Sequence, residues 1–302
     1  MKPIAITGGT GFVGGHVLRI AGERGIPVRA LARGPQAPMP GVEWVAGALD
    51  DHDALARLCD GAGAVIHIAG VINAPDRSGF AAGNIAGTEA MVVAANGAGI
   101  RRFIHVSSLA AREPRLSDYG WSKAESEKVM EDSALDWTIV RPPAVYGPGD
   151  HEMLELFRMA AKGFVTLPPA GRLSLIEASD LARLLLDLVD APAAIGQRYE
   201  PDDGRAAGWD HREFALALGD AVGRPVKTFA VPAPVLRLAA AADGLFRGKG
   251  AKLTPDRVRY FCHPDWVVGA DARPPAAIWR PQVETHAGLK ATADSYRTAG
   301  WL

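Results

Sequence analysis

Two side chains, Tyr119 and Lys123 in Tyr119-Gly120-Trp121-Ser122-Lys123, hold the residue types and spacing best suited to chemistry in this 302-residue sequence. On a helix, positions i and i+4 share one face a turn apart. An ammonium beside a phenol favours the phenolate and draws its pKa down. A tyrosine so placed can exchange a proton with a substrate alcohol or carbonyl near neutral pH. Upstream, the strand-like run Phe103–Ser107 leads into Ser108. A hydroxyl at a strand end can hydrogen-bond the same substrate oxygen as its charge changes, and Ser108 is the preferred candidate over Ser107. A bare Tyr-x-x-x-Lys also arises by chance as an exposed helix pair, so its weight depends on the elements around it.

The first of those elements is the turn Thr7-Gly8-Gly9-Thr10-Gly11-Phe12-Val13-Gly14, which follows the apolar run Ile4–Thr7 and precedes a helical face of Val17, Leu18 and Ala21. Glycines at 8, 11 and 14 let a strand turn sharply into a helix, let backbone approach a pyrophosphate, and let the helix pack closely on the sheet. The helix start then offers unpaired N–H groups and a positive dipole end to phosphate. Gly8, Thr10, Gly11, Phe12, Val13 and Gly14 are therefore the expected phosphate-binding residues of a dinucleotide site. Roughly 20 residues further on, where an acid would hold the adenosine ribose, the second strand ends in Ala32-Arg33. An arginine there can pair with a 2′-phosphate, which favours NADP(H) and leaves NAD(H) open.

Short apolar runs alternate with helical patterns through the first half: Ile4–Thr7, Val28–Ala32, Val42–Ala46, Ala64–Ala69, Phe103–Ser107 and Trp137–Val140 read as strands. Near-continuous apolar strands suit a parallel sheet covered on both faces, so the fold class is α/β, a Rossmann-type doubly wound parallel sheet. Beyond Arg141, proline pairs punctuate mostly helical segments, as expected of a smaller, mostly helical C-terminal substrate lobe. Ser174-Leu175-Ile176 and the helical run after Asp180 look like a further strand and helix of the sheet. The expected domains are thus 1–150 with 172–200 returning to it, and 151–171 with 201–302 as the lobe.

Composition narrows the function. Lys plus Arg (33) against Asp plus Glu (34) leaves a formal charge of −1, so no net field attracts nucleic acid or an anionic surface. Cys59 and Cys262 stand far apart without a ligand spacing, which suits reduced thiols in a cytoplasmic protein and supports no metal site. Met1-Lys2-Pro3 runs directly into a strand, leaving no room for a secretion signal. The apolar run Val231–Ala242 contains Arg237 and two prolines and is too short to span a bilayer; it reads as a buried or pocket-lining helix, and no membrane partner is expected. His67 and His105 lie in apolar strands and read as packed, hydrogen-bonded residues. Asp210-His211-Arg212-Glu213 reads as a capped helix start, and Trp209, Trp266, Trp279 and Trp301 as packing for the lobe.

Taken together, the glycine turn, Ser107-Ser108, Tyr119-x-x-x-Lys123 and Arg141-Pro142-Pro143-Ala144-Val145-Tyr146-Gly147 resemble the extended short-chain dehydrogenase/reductase superfamily, the NAD-dependent epimerase/dehydratase family. That resemblance implies Ser108, Tyr119 and Lys123 as catalytic residues. It also implies a cofactor lined by Ile68, Ala69 and Gly70 after the fourth strand, by Asn84, and by Pro142 to Val145 beside the nicotinamide. Two departures stand out. Where the family often has an adenine-binding Asp, this chain has Ala48, which shifts adenine recognition to backbone, Leu49 or Asp50. The nucleotide-sugar enzymes' arginine is displaced by one position at Arg172. The resemblance implies a monomer or a homodimer acting on a small molecule. The leading expectation is hydride transfer between a nicotinamide and a secondary alcohol or carbonyl. The alternatives are a nucleotide-sugar 4-epimerase or dehydratase, and a non-catalytic dinucleotide-binding sensor or assembly subunit.

Overall fold

The computed structural model describes residues 1–247 and 253–302. They form two compact units, of which the first comprises Met1–Pro142, Ser179–Glu200 and Pro274–Arg280. Its strands are β1 (Ile4–Thr7), β2 (Val28–Ala32), β3 (Val42–Ala46), β4 (Ala64–His67), β5 (Arg102–Val106) and β6 (Asp136–Val140), with Gln197–Tyr199 as a seventh. The sheet runs Gln197–Tyr199, β6, β5, β4, β1, β2, β3, every neighbouring pair parallel. The doubly wound pattern expected from the apolar runs is the one observed. β1 and β4 are buried at every position, because helices cover both faces and leave no polar side for alternation. Between strands lie α1 (Phe12–Glu23), α2 (His52–Cys59), α3 (Arg77–Phe80), α4 (Gly87–Gly97) and α5 (Asp118–Glu131). Leu55, Leu58, Val65, Met91, Phe103 and Ile139 are packed in one core cluster of this unit.

Strand order reverses between β1 and β4, and in open α/β sheets the crevice outside the carboxyl ends at such a point receives the ligand. The backbone is tightly packed there. Gly8 takes φ +77°, and a methyl group on Gly14 would stand 2.0 Å from the Gly8 carbonyl oxygen. No side chain fits at position 14 without moving the turn off the helix.

The second unit comprises Pro143–Ala178, Pro201–Arg273 and Pro281–Leu302. Helices Leu154–Ala161, His211–Val222 and Thr285–Thr298 enclose Tyr146, Phe157, Leu218, Leu289 and Tyr296. A buried Asp202 takes two hydrogen bonds from Arg273 at 2.7 and 2.8 Å and one from Ser174 at 2.9 Å. Asp210 caps the helix that follows it, accepting from the amides of Arg212 and Glu213.

Three expectations change. The chain returns to the first unit at Ser179 rather than at Arg172, because Leu175–Glu177 pairs with Ala144–Tyr146 inside the second unit; the strand that joins the large sheet is Gln197–Tyr199, beside β6. Trp279 belongs to the first unit, where its indole donates to the Asp180 carbonyl at 3.1 Å. The apolar run from Val231 continues into a helix, Ala233–Arg247, that is mostly exposed, with only Ala240 among its described side chains fully buried.

Gly14→Ala is expected to weaken dinucleotide binding roughly tenfold or more, about 1.4 kcal/mol, by forcing the turn and α1 apart. Fluorescence titration of the variant measures it; unchanged affinity would show that the close approach is dispensable.

Candidate active site

The glycine turn closes on itself, the Gly11 amide donating to the Gly8 carbonyl at 3.0 Å. Gly11 caps α1 with extended backbone and no side-chain hydrogen bond, so the first amides of the helix, over Phe12, Val13 and Gly14, are not satisfied by a capping side chain. Thr10 and Gly11 are exposed beside them. This is the donor set a pyrophosphate requires, and the residues present fit a dinucleotide. A methyl on Gly8 would stand 2.6 Å from the Ala69 amide nitrogen, so the turn and the segment Ile68–Gly70 after β4 come together at the switch point. Arg33 is exposed directly after β2, and Leu49 is half-buried with its side chain against Gly87.

Gly70, Asn84 and Lys123 converge. A methyl at Gly70 would come 2.8 Å from Asn84 Oδ1 and 3.4 Å from Lys123 Nζ. Asn84 lies in a π-helical turn, Ala81–Ala86, that joins α3 to α4; such turns insert one residue into the helical ladder and free backbone groups for other partners. Its amide nitrogen donates to the Val71 carbonyl (2.9 Å) and to Ser122 Oγ (2.8 Å), and its Oδ1 accepts from the Val71 amide (2.6 Å). Ser122 in turn donates to the Tyr119 carbonyl at 2.8 Å.

Tyr119 and Lys123 sit on α5, which Ser117 caps by accepting from the Gly120 amide. A methyl on Gly120 would lie 2.7 Å from the Ala110 carbonyl oxygen, so this glycine lets α5 lie against the short 3₁₀ segment Leu109–Arg112. Ser108 opens that segment, its Oγ accepting from the Ala110 amide at 3.2 Å, which leaves the hydroxyl proton to give. Pro142, the last residue of its segment of the first unit, accepts from the Leu109 amide at 3.0 Å. Val145 lies in the second unit, on Ala144–Tyr146. The Tyr119 ring is half-buried, 6.2 Å from that of Phe80.

Lys123 is buried and donates to the Val106 carbonyl at 2.8 Å. Burial pushes its pKa down to about 8, against the opposing pull of Glu127. Behind it stand two stacked imidazoles, His67 and His105, 5.6 Å apart. His67 meets Thr7 Oγ1 (2.6 Å) and Thr88 Oγ1 (3.3 Å), and His105 meets Ser126 Oγ (3.0 Å). Burial first and the Lys123 charge second take His67 down to about 3 and His105 well below its ordinary value; both are neutral at physiological pH and act as packing and hydrogen-bonding groups.

Glu127, one turn beyond Lys123, escaped the sequence reading. It is buried, accepts from Ser107 Oγ, and takes a two-pronged pair from Arg141 at 2.8 and 2.6 Å. Arg141 and Arg112 also reach Glu200, each at 3.4 Å. Ser107 is thereby held in a structural cluster, whereas Ser108 is not. The available signal was spacing: Tyr119, Lys123 and Glu127 recur every fourth residue on one helix face.

A family model described as NAD(P)H-binding matches residues 8–192, and the chain belongs to that family, with a nicotinamide cofactor and the reductases and epimerases that share it. It is an NAD(P)-dependent enzyme of the oxidoreductase type. Over 99% of its length it is 37% identical to a ceramide reductase of Caulobacter vibrioides, covering 96% of that protein. It is 27% identical to a UDP-glucose 4-epimerase of Vibrio cholerae over 78% of the chain and 79% of the relative. Among solved structures, UDP-N-acetylglucosamine 4-epimerase from Bacillus cereus superposes with a TM-score of 0.74 at 16% identity, covering 98% of this chain and 97% of that one; at that identity the likeness speaks for the fold.

Two outcomes follow from the buried charges. Glu127→Ala is expected to destabilise the chain by about 3–5 kcal/mol, since it leaves Arg141 buried without its main partner; a thermal or urea unfolding transition measures this. For Lys123, the unfolded chain holds the proton up to its ordinary value of 10.5 and the folded chain only to about 8. The folded state is therefore penalised most below pH 8, and stability rises with pH across that interval. Urea unfolding of Lys123→Met beside the wild type should show the variant gaining relative stability below pH 8 and losing that advantage by pH 10.5. A pH-independent difference would contradict a buried ammonium.

Proposed function

We propose that this chain reduces a ketone to a secondary alcohol on a long-chain, amide-linked lipid of the ceramide class, with NADPH preferred over NADH. The observation that carries the chemistry is the placement of Ser108, Tyr119 and Lys123 around the carboxyl end of β5, next to the switch-point cradle. The likeness to the ceramide reductase along nearly the whole chain supports the substrate class.

When bound, the nicotinamide supplies the hydride. Tyr119 gives the substrate oxygen its proton as charge develops there, and Ser108 steadies the same oxygen with its hydroxyl. Lys123, charged and buried at the foot of α5, favours the phenolate that remains. Asn84 binds Val71 and Ser122 and so fixes the loop and the helix between which Lys123 sits. Arg33, exposed at the end of β2, is the residue to pair with a 2′-phosphate.

A nucleotide-sugar substrate fits less well. Arg172, nearest to the arginine that nucleotide-sugar enzymes use, has its guanidinium bound to the carbonyls of Ala207 (2.6 Å) and Gly208 (3.2 Å).

With the purified full chain, NADPH consumption is expected with a keto-ceramide in detergent micelles, and no conversion of UDP-glucose to its 4-epimer is expected; epimerisation of UDP-glucose, which consumes no cofactor, with no turnover of the keto-ceramide would overturn the reading. Tyr119→Phe should lower kcat by about 10²–10⁴ while cofactor binding persists. Arg33→Ala should weaken NADPH roughly tenfold or more, the worth of a charge-assisted contact, and leave NADH nearly unchanged. Equal losses for both cofactors would remove Arg33 from the 2′-phosphate site.

A further inference from the structure

The helix Ala233–Arg247 reverses the usual arrangement of a surface helix. Val235, Leu238, Leu245 and Phe246 are 53%, 73%, 83% and 85% exposed. They recur at i, i+3, i+10 and i+11, which places them on one face, with the exposed Ala242 between them. The opposite side carries the buried Ala240 and Asp243, whose carboxylate accepts from the Leu253 amide at 2.9 Å. An amphipathic helix normally turns its apolar stripe to the core; this one turns it to solvent. Phe229, four residues before the helix, and Phe261, on the helix Pro255–Phe261 packed against it, are 54% and 44% exposed. Single exposed apolar residues need no explanation, but a contiguous set of large ones marks a contact surface.

Charge selects the partner. In the sequence the stretch 227–259 holds seven Lys and Arg against two Asp, within a chain whose total is −1. Arg237 is exposed on the polar side of the helix, turned away from the apolar stripe by its helical position. A symmetric dimer through this face would set the same basic stretch against itself, since a two-fold interface joins a patch to its own copy. An anionic lipid surface offers both an apolar interior for the leucines and phenylalanines and negative charge for the basic stretch of sequence around them. At 15 residues the helix is too short to cross a bilayer, and among the described residues no helix is long and apolar enough to do so.

We propose that the helix Ala233–Arg247 lies flat in the interface of an anionic lipid bilayer, Val235, Leu238, Leu245 and Phe246 buried among acyl chains and Arg237 among the phosphates. The surface stands on the helix itself and is independent of which substrate the enzyme reduces.

Flotation of the full chain with vesicles tests it. Vesicles of phosphatidylglycerol and phosphatidylcholine in equal parts should carry the protein up, phosphatidylcholine vesicles should not, and high salt should weaken the binding because it screens the basic side chains. Leu238→Asp and Phe246→Asp should each lower vesicle affinity about tenfold or more, as expected for losing one buried apolar side chain, with NADPH binding retained as proof of folding. Absence of flotation on anionic vesicles, or undiminished flotation of both variants, would overturn the proposal. So would a wild-type dimer in light scattering that Phe246→Asp dissociates, because a second copy would then cover the face. NADPH consumption with substrate in micelles reads the reductase proposal separately, so either can fail alone.

Discussion

The first unit is organised around one costly feature, an ammonium buried where α5 meets the end of β5. A charge taken out of water must be compensated locally or it will shed its proton. Lys123 has the Val106 carbonyl at its tip and Glu127 one turn along the same helix. Glu127 is itself buried and requires Arg141, which leans on Glu200 next to the last strand of the sheet. The ends of β5 and β6, helix α5 and the residue after Tyr199 are thus tied by a chain of partners whose first member is a catalytic candidate. Burial keeps His67 and His105 neutral, and the Lys123 charge adds to it. Buried ion clusters of this kind are poor sources of net stability compared with apolar packing, and this one is accounted for by the proposed role of Lys123.

Legibility in the sequence followed from whether inside and outside obeyed the hydrophobic pattern. β1 through β6 were readable because each is an apolar run between turn signals, and the glycine turn because its spacing has a steric reason. Helix α5 was readable only through Tyr119 and Lys123. Its buried side includes Ser122, Lys123, Ser126 and Glu127, so a search for apolar periodicity passes over it. Helix Ala233–Arg247 failed in the opposite sense: its apolar stripe suggested burial, and the structure exposes it. Both departures lie where the molecule departs from the rule that apolar faces are buried, and such departures concentrate at functional surfaces.

The second unit was harder for a different reason. Leu175–Glu177 is buried at all three positions, as a central strand of the large sheet would be, yet its partner is Ala144–Tyr146. Local pattern reports that a strand is buried, but the choice of partner depends on contacts distant in sequence. The register is reinforced by Ser174 and Asp202, residues whose relation no spacing rule announces.

Arg172 shows what this means for substrate assignment. Judged by position, it is a displaced form of an arginine that binds nucleotide phosphates. In the structure its guanidinium donates to two backbone carbonyls, those of Ala207 and Gly208. Turning these two donors to a phosphate would give up both contacts with the loop. The same residue type at nearly the same place therefore performs a different task, two of its donors holding the loop at Ala207 and Gly208. The task of an arginine is read from the partners its donors hold as well as from its position, and in this unit Arg172 and Arg273 both hold the chain together.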